Sequence, residues 1–197
     1  MLNIAVFVSG GGTNFQALID AQRAGKFPGG EITLCVSSSK NAYALERARQ
    51  NGIETAIVRR RDYPSQEELD GALLDVLKTH DIGLIVLAGY LSILSERVVR
   101  AYDRKIINVH PSLIPSFCGA GYYGLKVHEA ALAYGVKITG ATVHFVNEIP
   151  DAGKIILQKA VEVREGDTPE TLQRRVMEEA EWQLLPQAVA MFCQGEI

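Results

Sequence analysis

IGLIVLAG (Ile82–Gly89) and KIINVHPS (Lys105–Ser112) are near-continuous runs of valine, isoleucine and leucine, short and bounded by turn residues. A strand buried on both faces of a parallel sheet reads this way, whereas a half-exposed strand alternates apolar with polar. LNIAVFVS (Leu2–Ser9) and EITLCVS (Glu31–Ser37) share the character, and Glu54–Val58 is a shorter version. Helical spacing fills the gaps. One helix starts at a capping Thr13 and runs through Ala17, Leu18 and Ile19 to about Ala24. Another covers Ala42–Gln50 and stops at Asn51-Gly52. A third opens at Pro64-Ser65, with Glu67 and Glu68 in its first turn, and ends near His80. The alternation predicts an α/β fold: a doubly wound, mostly parallel, Rossmann-like sheet.

Beyond a helix around Tyr123–Tyr134 the pattern changes. KITGATVHFVNE and KIILQKAVEV are separated only by IPDAG (Ile149–Gly153), which predicts an antiparallel C-terminal strand pair. Thr168-Pro169-Glu170 then opens a long terminal helix carrying Leu172, Val176, Leu184, Leu185 and Val189. No linker-like composition divides residues 1–197, so a single domain is expected.

Composition excludes several function classes. Apolar residues are 47% and charged residues 22% of the chain, ordinary for a globular protein with a full core. The net charge of −3 and the lack of a basic stripe argue against nucleic acid. Arg59, Arg60 and Arg61 are followed at once by Asp62 and read as a solvated turn, with contact to an anionic ligand as the lesser alternative. Cys35, Cys118 and Cys193 are odd in number and form no CxxC pair, which fits a reducing compartment. The start, MLNIAVFVSGGG, lacks a basic segment and a long apolar run, and Ile82–Leu94 is interrupted by Gly83, Gly89 and Ser92. A cytoplasmic protein with no membrane span is expected.

SGGGTN follows the first strand, where an open α/β sheet offers free N–H groups and a helix N-terminus to an anion. The lysine of a nucleoside-triphosphate loop is missing. A dinucleotide fingerprint fails because Phe15 stands at its third glycine position. The second strand also ends Val36-Ser37-Ser38-Ser39-Lys40, without a ribose-binding acid, although serines and lysine suit a 2′-phosphate. A tight turn without a ligand is the plain alternative. Three glycines in a row exceed what a turn needs, and a monophosphate site is favoured.

Asn108 and His110 end the fifth strand two residues apart, hence on one face. An amide beside an imidazole suits chemistry at a carbonyl: the amide N–H holds a developing oxyanion and the ring moves protons. A structural histidine at a strand end is the competing reading. Asp151, in the short IPDAG loop, is the best partner carboxylate for His110, against the ordinary role of an aspartate filling a turn. His144 lies within a strand as a supporting or core histidine, and His80 and His128 receive no role.

With SGGGTN, LAGYLSIL, INVHPSLIP, VHFVNEIPDAG and Glu181 five residues ahead of Pro186 in view, the chain resembles the phosphoribosylglycinamide formyltransferases from Asn3 to about Gly195. The resemblance implies formyl transfer from 10-formyltetrahydrofolate to the amine of 5′-phosphoribosylglycinamide, a step of purine (IMP) biosynthesis. It implies two small-molecule substrates, no metal, and a monomer or homodimer. Gly11, Gly12, Thr13 and Asn14 would hold the substrate phosphate, and Glu181 the ribose hydroxyls. Asn108 would stabilise the oxyanion, and His110 with Asp151 would assist proton transfer. The folate would lie along Tyr90, Leu91, Ser92, Ile93 and Leu94 and against Asn147, Glu148, Ile149 and Pro150. The chain departs from the family at Leu91-Ser92, which replace Met-Arg, and at Gln66, which replaces an arginine. Asp151-Ala152-Gly153 replaces Asp-Gly-Gly, and the loop after HPSLIP is extended, with Ser116–Gly124 read as a flap. Formyl transfer to another phosphorylated amine, or a non-catalytic module that binds a phosphorylated ligand, are the alternatives.

Overall fold

The computed structural model describes residues 1–197. Its strands are β1 (Leu2–Val8), β2 (Gly30–Ser37), β3 (Glu54–Ile57), β4 (Ile82–Leu87), β5 (Ile106–His110), β6 (Ile138–Phe145) and β7 (Ile155–Glu162). They form one seven-stranded sheet in the order β3-β2-β1-β4-β5-β6-β7. The five N-terminal strands are parallel, and β6 joins β5 antiparallel, as β7 joins β6. This is the doubly wound sheet with an antiparallel extension that the strand patterns predicted.

The helices are α1 (Thr13–Arg23), α2 (Tyr43–Gln50), α3 (Gln66–Thr79), α4 (Glu96–Ala101), α5 (Leu125–Tyr134), α6 (Pro169–Val176) and α7 (Trp182–Cys193). Successive residues of β1 face opposite ways, so Ile4, Val6 and Val8 pack with Phe15, Leu18, Leu45, Leu172 and Leu185 of the helices on one side. Ala5 and Phe7 meet Leu73, Leu77, Val98 and Val99 on the other. That two-sided burial is why β1, β4 and β5 are continuously apolar. No helix is long and apolar enough to cross a membrane.

Three local features differ from the sequence reading. Thr13 is not the cap of α1: Gly12, with φ of 73°, occupies that position and no side chain caps the helix. A short helix, α4, forms between β4 and β5, too brief to show a period in sequence. Ser95 caps it, accepting from the Val98 N–H while donating to Asp70 Oδ2 at 2.6 Å. The terminal helix is not uniform, because a π-helical turn at Met177–Glu181 separates α6 from α7. Pro186 has no N–H for the Trp182 carbonyl and crowds it, and the widened turn lies immediately ahead of that position.

Gly12 is required twice over. Its φ is left-handed, and a Cβ there would come within 2.6 Å of Ala44 Cβ. Gly12→Ala is expected to lose about 2 kcal/mol, read as a fall in Tm of roughly 4–8 °C with a loosened loop. A variant with unchanged Tm would contradict this account.

Candidate active site

The registers Phe7↔Leu87 and Leu87↔Asn108 bring three segments to one edge of the sheet: the glycine loop after β1, the loop after β4 and the end of β5. With neighbouring strands about 4.8 Å apart, groups far apart in sequence share one crevice at the carboxyl ends of the strands.

Asn108 is half-buried, and its Nδ2 lies 3.1 Å from His144 Nε2. His144 is buried and opposes Asn108 across the β5–β6 ladder, and its Nδ1 is 2.8 Å from the Phe145 carbonyl. That carbonyl can only accept, so Nδ1 carries the proton and, in the neutral ring, Nε2 accepts from Asn108. The amide is thereby held by one of its two N–H groups, and the other remains for a ligand. His144 is more than a core residue: it orients Asn108 and also lies 3.6 Å from Asp151 Oδ1.

His110 is buried, with Nδ1 3.6 Å from Asp151 Oδ2 and Nε2 donating to the Phe117 carbonyl at 2.9 Å. Burial pushes its imidazole below the ordinary value, opposed in part by the Phe117 carbonyl and the charge of Asp151. Asp151 sits in the β6–β7 loop with φ of 56°, a conformation aspartate tolerates better than most residues. Gly153 follows, where a Cβ would fall 1.6 Å from the Phe145 carbonyl oxygen. Burial tends to raise the Asp151 carboxyl. His144, the charge of His110 and the Gly119 N–H, which donates to Oδ2 at 2.8 Å, outweigh it and hold the group below the usual carboxylate range. Asn108, His110, His144 and Asp151 therefore form one connected cluster.

Tyr90, Ser92, Ile93 and Pro150 line two cavities that both open onto Asn108 and Asp151. The larger, about 530 Å³, adds Leu91, His110 and the flap residues Gly119–Gly124. The smaller, about 120 Å³, adds Leu94, Asn147, Glu148 and Val146. Leu91, Ile93 and Ile149 are 63%, 79% and 65% exposed, an apolar rim that a ligand would cover. Ile149 itself lines neither cavity.

At the glycine loop, the N–H groups of Gly11, Gly12, Thr13 and Asn14 make no backbone hydrogen bond and point out of the N-terminus of α1. Asn14 is buried and donates to Glu181 Oε2 at 2.5 Å. The π turn thus aims Glu181 at the loop, although the two lie at opposite ends of the chain. Burial pushes the Glu181 carboxyl up to about 7, and the Asn14 hydrogen bond only partly offsets this. The folded state then keeps a proton that the unfolded chain releases near pH 4.5. This group's contribution to stability is expected to fall by roughly 1 kcal/mol per unit between pH about 4.5 and 7 and then level off. Glu181→Gln should flatten that slope in denaturant unfolding across pH 4.5–8; parallel curves for the two proteins would refute it.

The chain matches the formyl transferase family over residues 2–189. It is 39% identical to the phosphoribosylglycinamide formyltransferase of Haemophilus influenzae, across 100% of this chain and 90% of that protein. The chain belongs to the phosphoribosylglycinamide formyltransferase family. It is also 40% identical to the chloroplastic phosphoribosylglycinamide formyltransferase of Arabidopsis thaliana, across 98% of this chain and 66% of that protein. The structure of glycinamide ribonucleotide transformylase 1 from Symbiobacterium toebii superposes with a TM-score of 0.92 at 42% identity, covering 99% of this chain and 89% of that one. The chain spans about two thirds of the plant relative's length, and as little as 14% of some other relatives.

Several groups at the site carry no sequence signal. Arg47 of α2 donates from Nε to the Gly11 carbonyl at 2.9 Å and from Nη1 to Gln16, and stacks over the Tyr43 ring, bringing a cation to the glycine loop. The Ser9 hydroxyl accepts from the Leu91 N–H at 2.9 Å and pairs with Ser38 at 2.6 Å, tying the glycine loop to the loop after β4. The Phe117 carbonyl and Gly119 N–H act through backbone, which residue identity does not report. The flap bearing them is rooted by Thr142, which bonds the Ser112 carbonyl and the Ile114 N–H at 2.7 and 3.0 Å.

Proposed function

We propose that this protein transfers the formyl group of 10-formyltetrahydrofolate to the glycinamide amine of 5′-phosphoribosylglycinamide. The observation that carries the reading is the connected cluster of Asn108, His110, His144 and Asp151 at the carboxyl ends of the strands, between a glycine loop with free N–H groups and an apolar cleft. On this reading residues 1–197 act as one domain on two small molecules in the cytoplasm, as a monomer or homodimer.

Both substrates fit what lines the crevice. Gly11, Gly12, Thr13 and Asn14 would bind the 5′-phosphate through backbone N–H groups and the helix dipole, helped by Arg47. Glu181 would accept from the ribose hydroxyls. For the folate, the N–H groups of Ser92, Ile93, Leu94, Asn147 and Glu148 make no backbone hydrogen bond, so they can meet the edge of a fused ring. Tyr90, Leu91, Ile93, Leu94, Ile149 and Pro150 would cover its faces. When bound, the folate supplies the formyl carbon.

The protein's own part is orientation, charge and proton handling. The free N–H of Asn108 would donate to the formyl oxygen as negative charge develops there, and His144 holds that amide in place. His110, its pKa lowered by burial, can take a proton from the attacking amine at Nδ1 and give it to the folate nitrogen that departs as its bond to the formyl carbon breaks. The imidazolium formed between the two transfers would lie against the Asp151 carboxylate, ionised because its neighbours hold its pKa down. The direct test supplies both substrates at saturation to the purified protein and follows tetrahydrofolate release with formylated ribonucleotide. Absence of both products would refute the assignment.

A further inference from the structure

Phe117 has a left-handed backbone, with φ of 49°. Asp81, Arg104 and Asp151 also have positive φ, but none of them is aromatic. A bulky side chain is rarely held in this region, because its Cβ crowds the following carbonyl. Such strain persists only where the surroundings over-determine it, and it gathers at functional sites. The surroundings of Phe117 do so. Its ring stands edge-to-face against Tyr122 of the flap and Tyr134 at the end of α5, with centroids 6.4 and 6.0 Å away. One residue earlier, the Ser116 carbonyl accepts from Ser112 Oγ at 2.5 Å.

The turn at Phe117 delivers two backbone groups to the site. Its own carbonyl accepts from His110 Nε2 at 2.9 Å, and the Gly119 N–H donates to Asp151 Oδ2 at 2.8 Å. A neutral imidazole carries one proton, and two acceptors compete for that of His110. Asp151 Oδ2 faces Nδ1, and the Phe117 carbonyl faces Nε2. A carboxylate is ordinarily the stronger acceptor. Here Nδ1 stands 3.6 Å from Oδ2, too far for a hydrogen bond, while the carbonyl is at full hydrogen-bond distance. Oδ2 has its donor in Gly119 instead. The ring proton is thus held on Nε2, and the lone pair of Nδ1 lies on the side of Asp151, which lines the larger cavity with His110. Without the carbonyl, the proton would shift to Nδ1 against Asp151. The basic lone pair would then sit on Nε2 and face the flap.

We propose that Phe117 is a positioning residue: its left-handed backbone aims the carbonyl that keeps the His110 proton on Nε2, so that Nδ1 serves as the base. Phe117 acts only through His110. The use of Nδ1 as base rests on the formyl-transfer reading, whereas the location of the ring proton does not. An aromatic residue that merely packs the flap is the plain alternative, and the two differ in what they require. Packing needs the ring. Positioning needs the backbone conformation, which asparagine adopts readily and a β-branched residue does not.

The test is nitrogen NMR of the histidine rings in the full chain at about pH 8, where a neutral imidazole dominates, alongside steady-state formyl transfer. Loss of a resonance in His110→Gln assigns the His110 signals. The wild-type ring should show its proton on Nε2. Phe117→Val should move most of that proton to Nδ1 and lower kcat by about tenfold, with each KM little changed. Phe117→Asn should restore the Nε2 pattern and most of the lost kcat, although both ring contacts are gone. A wild-type ring with its proton on Nδ1 overturns the proposal without any variant. The reverse order of the variants overturns it too: Phe117→Val behaving as wild type while Phe117→Asn loses the Nε2 proton is what ring packing alone would give. If Phe117→Val does not fold, the wild-type and Phe117→Asn spectra decide. Should the wild-type protein transfer no formyl group, the function assignment falls, and the tautomer comparison still upholds or overturns the role of Phe117.

Discussion

Asn108→Ala is expected to lower kcat for formyl transfer by about 10²–10³, with the KM of each substrate changed only a few-fold. The asymmetry follows from where the amide acts. In the proposed reaction it would meet a carbonyl oxygen in the ground state and an oxygen gaining negative charge in the transition state, so its loss would be felt mainly in the barrier. The fold should survive, because the β5 backbone remains paired with β4 and β6, and the neighbouring apolar side chains Ile106, Ile107 and Val109 stay buried. Truncation also leaves His144 Nε2 without its donor. His144→Ala should therefore produce a smaller kcat loss in the same direction, by letting the amide rotate. Steady-state kinetics with tetrahydrofolate release as the signal decide the matter. An Asn108→Ala enzyme within tenfold of wild type would remove Asn108 from the chemistry.

Asp151→Asn carries the second large effect, a loss of about 10² or more in kcat. The substitution keeps volume, and the amide oxygen can still accept from the Gly119 N–H. What disappears is the negative charge facing His110 and His144 at 3.6 Å. The charge of Asp151 raises the His110 pKa, so its removal lowers a value that burial already depresses. Imidazolium formed as the amine attacks would then lack its counterion, and the acid limb of the kcat/KM profile should move to lower pH. A profile that keeps its limbs while kcat falls would mean Asp151 acts only by shaping the loop.

The parts of the fold legible in the sequence were those set by local patterns. Continuous apolar runs at β1, β4 and β5 meant strands covered on both faces, and the five-residue IPDAG link meant an antiparallel pair. Asn108 and His110 stood out because a two-residue spacing at a strand end puts both side chains on one face. α4 was invisible, since six residues hold less than two turns. The π turn was equally hidden, because it depends on how the terminal helix accommodates Pro186 and seats Glu181 against Asn14. Thr13 looked like a cap, yet Gly12 took that position, its left-handed φ setting the backbone turn into α1.

By itself the sequence determined the α/β class, the glycine loop ahead of a helix, and which polar residues end the strands, because side-chain alternation and turn chemistry act over a few residues. The tertiary structure alone decided that His144 orients Asn108 and that the flap backbone holds His110 and Asp151. It also joined Glu181 to the glycine loop across the length of the chain. These contacts depend on strand order, ladder register and free backbone N–H and carbonyl groups, and none of those is written in the identity of neighbouring residues.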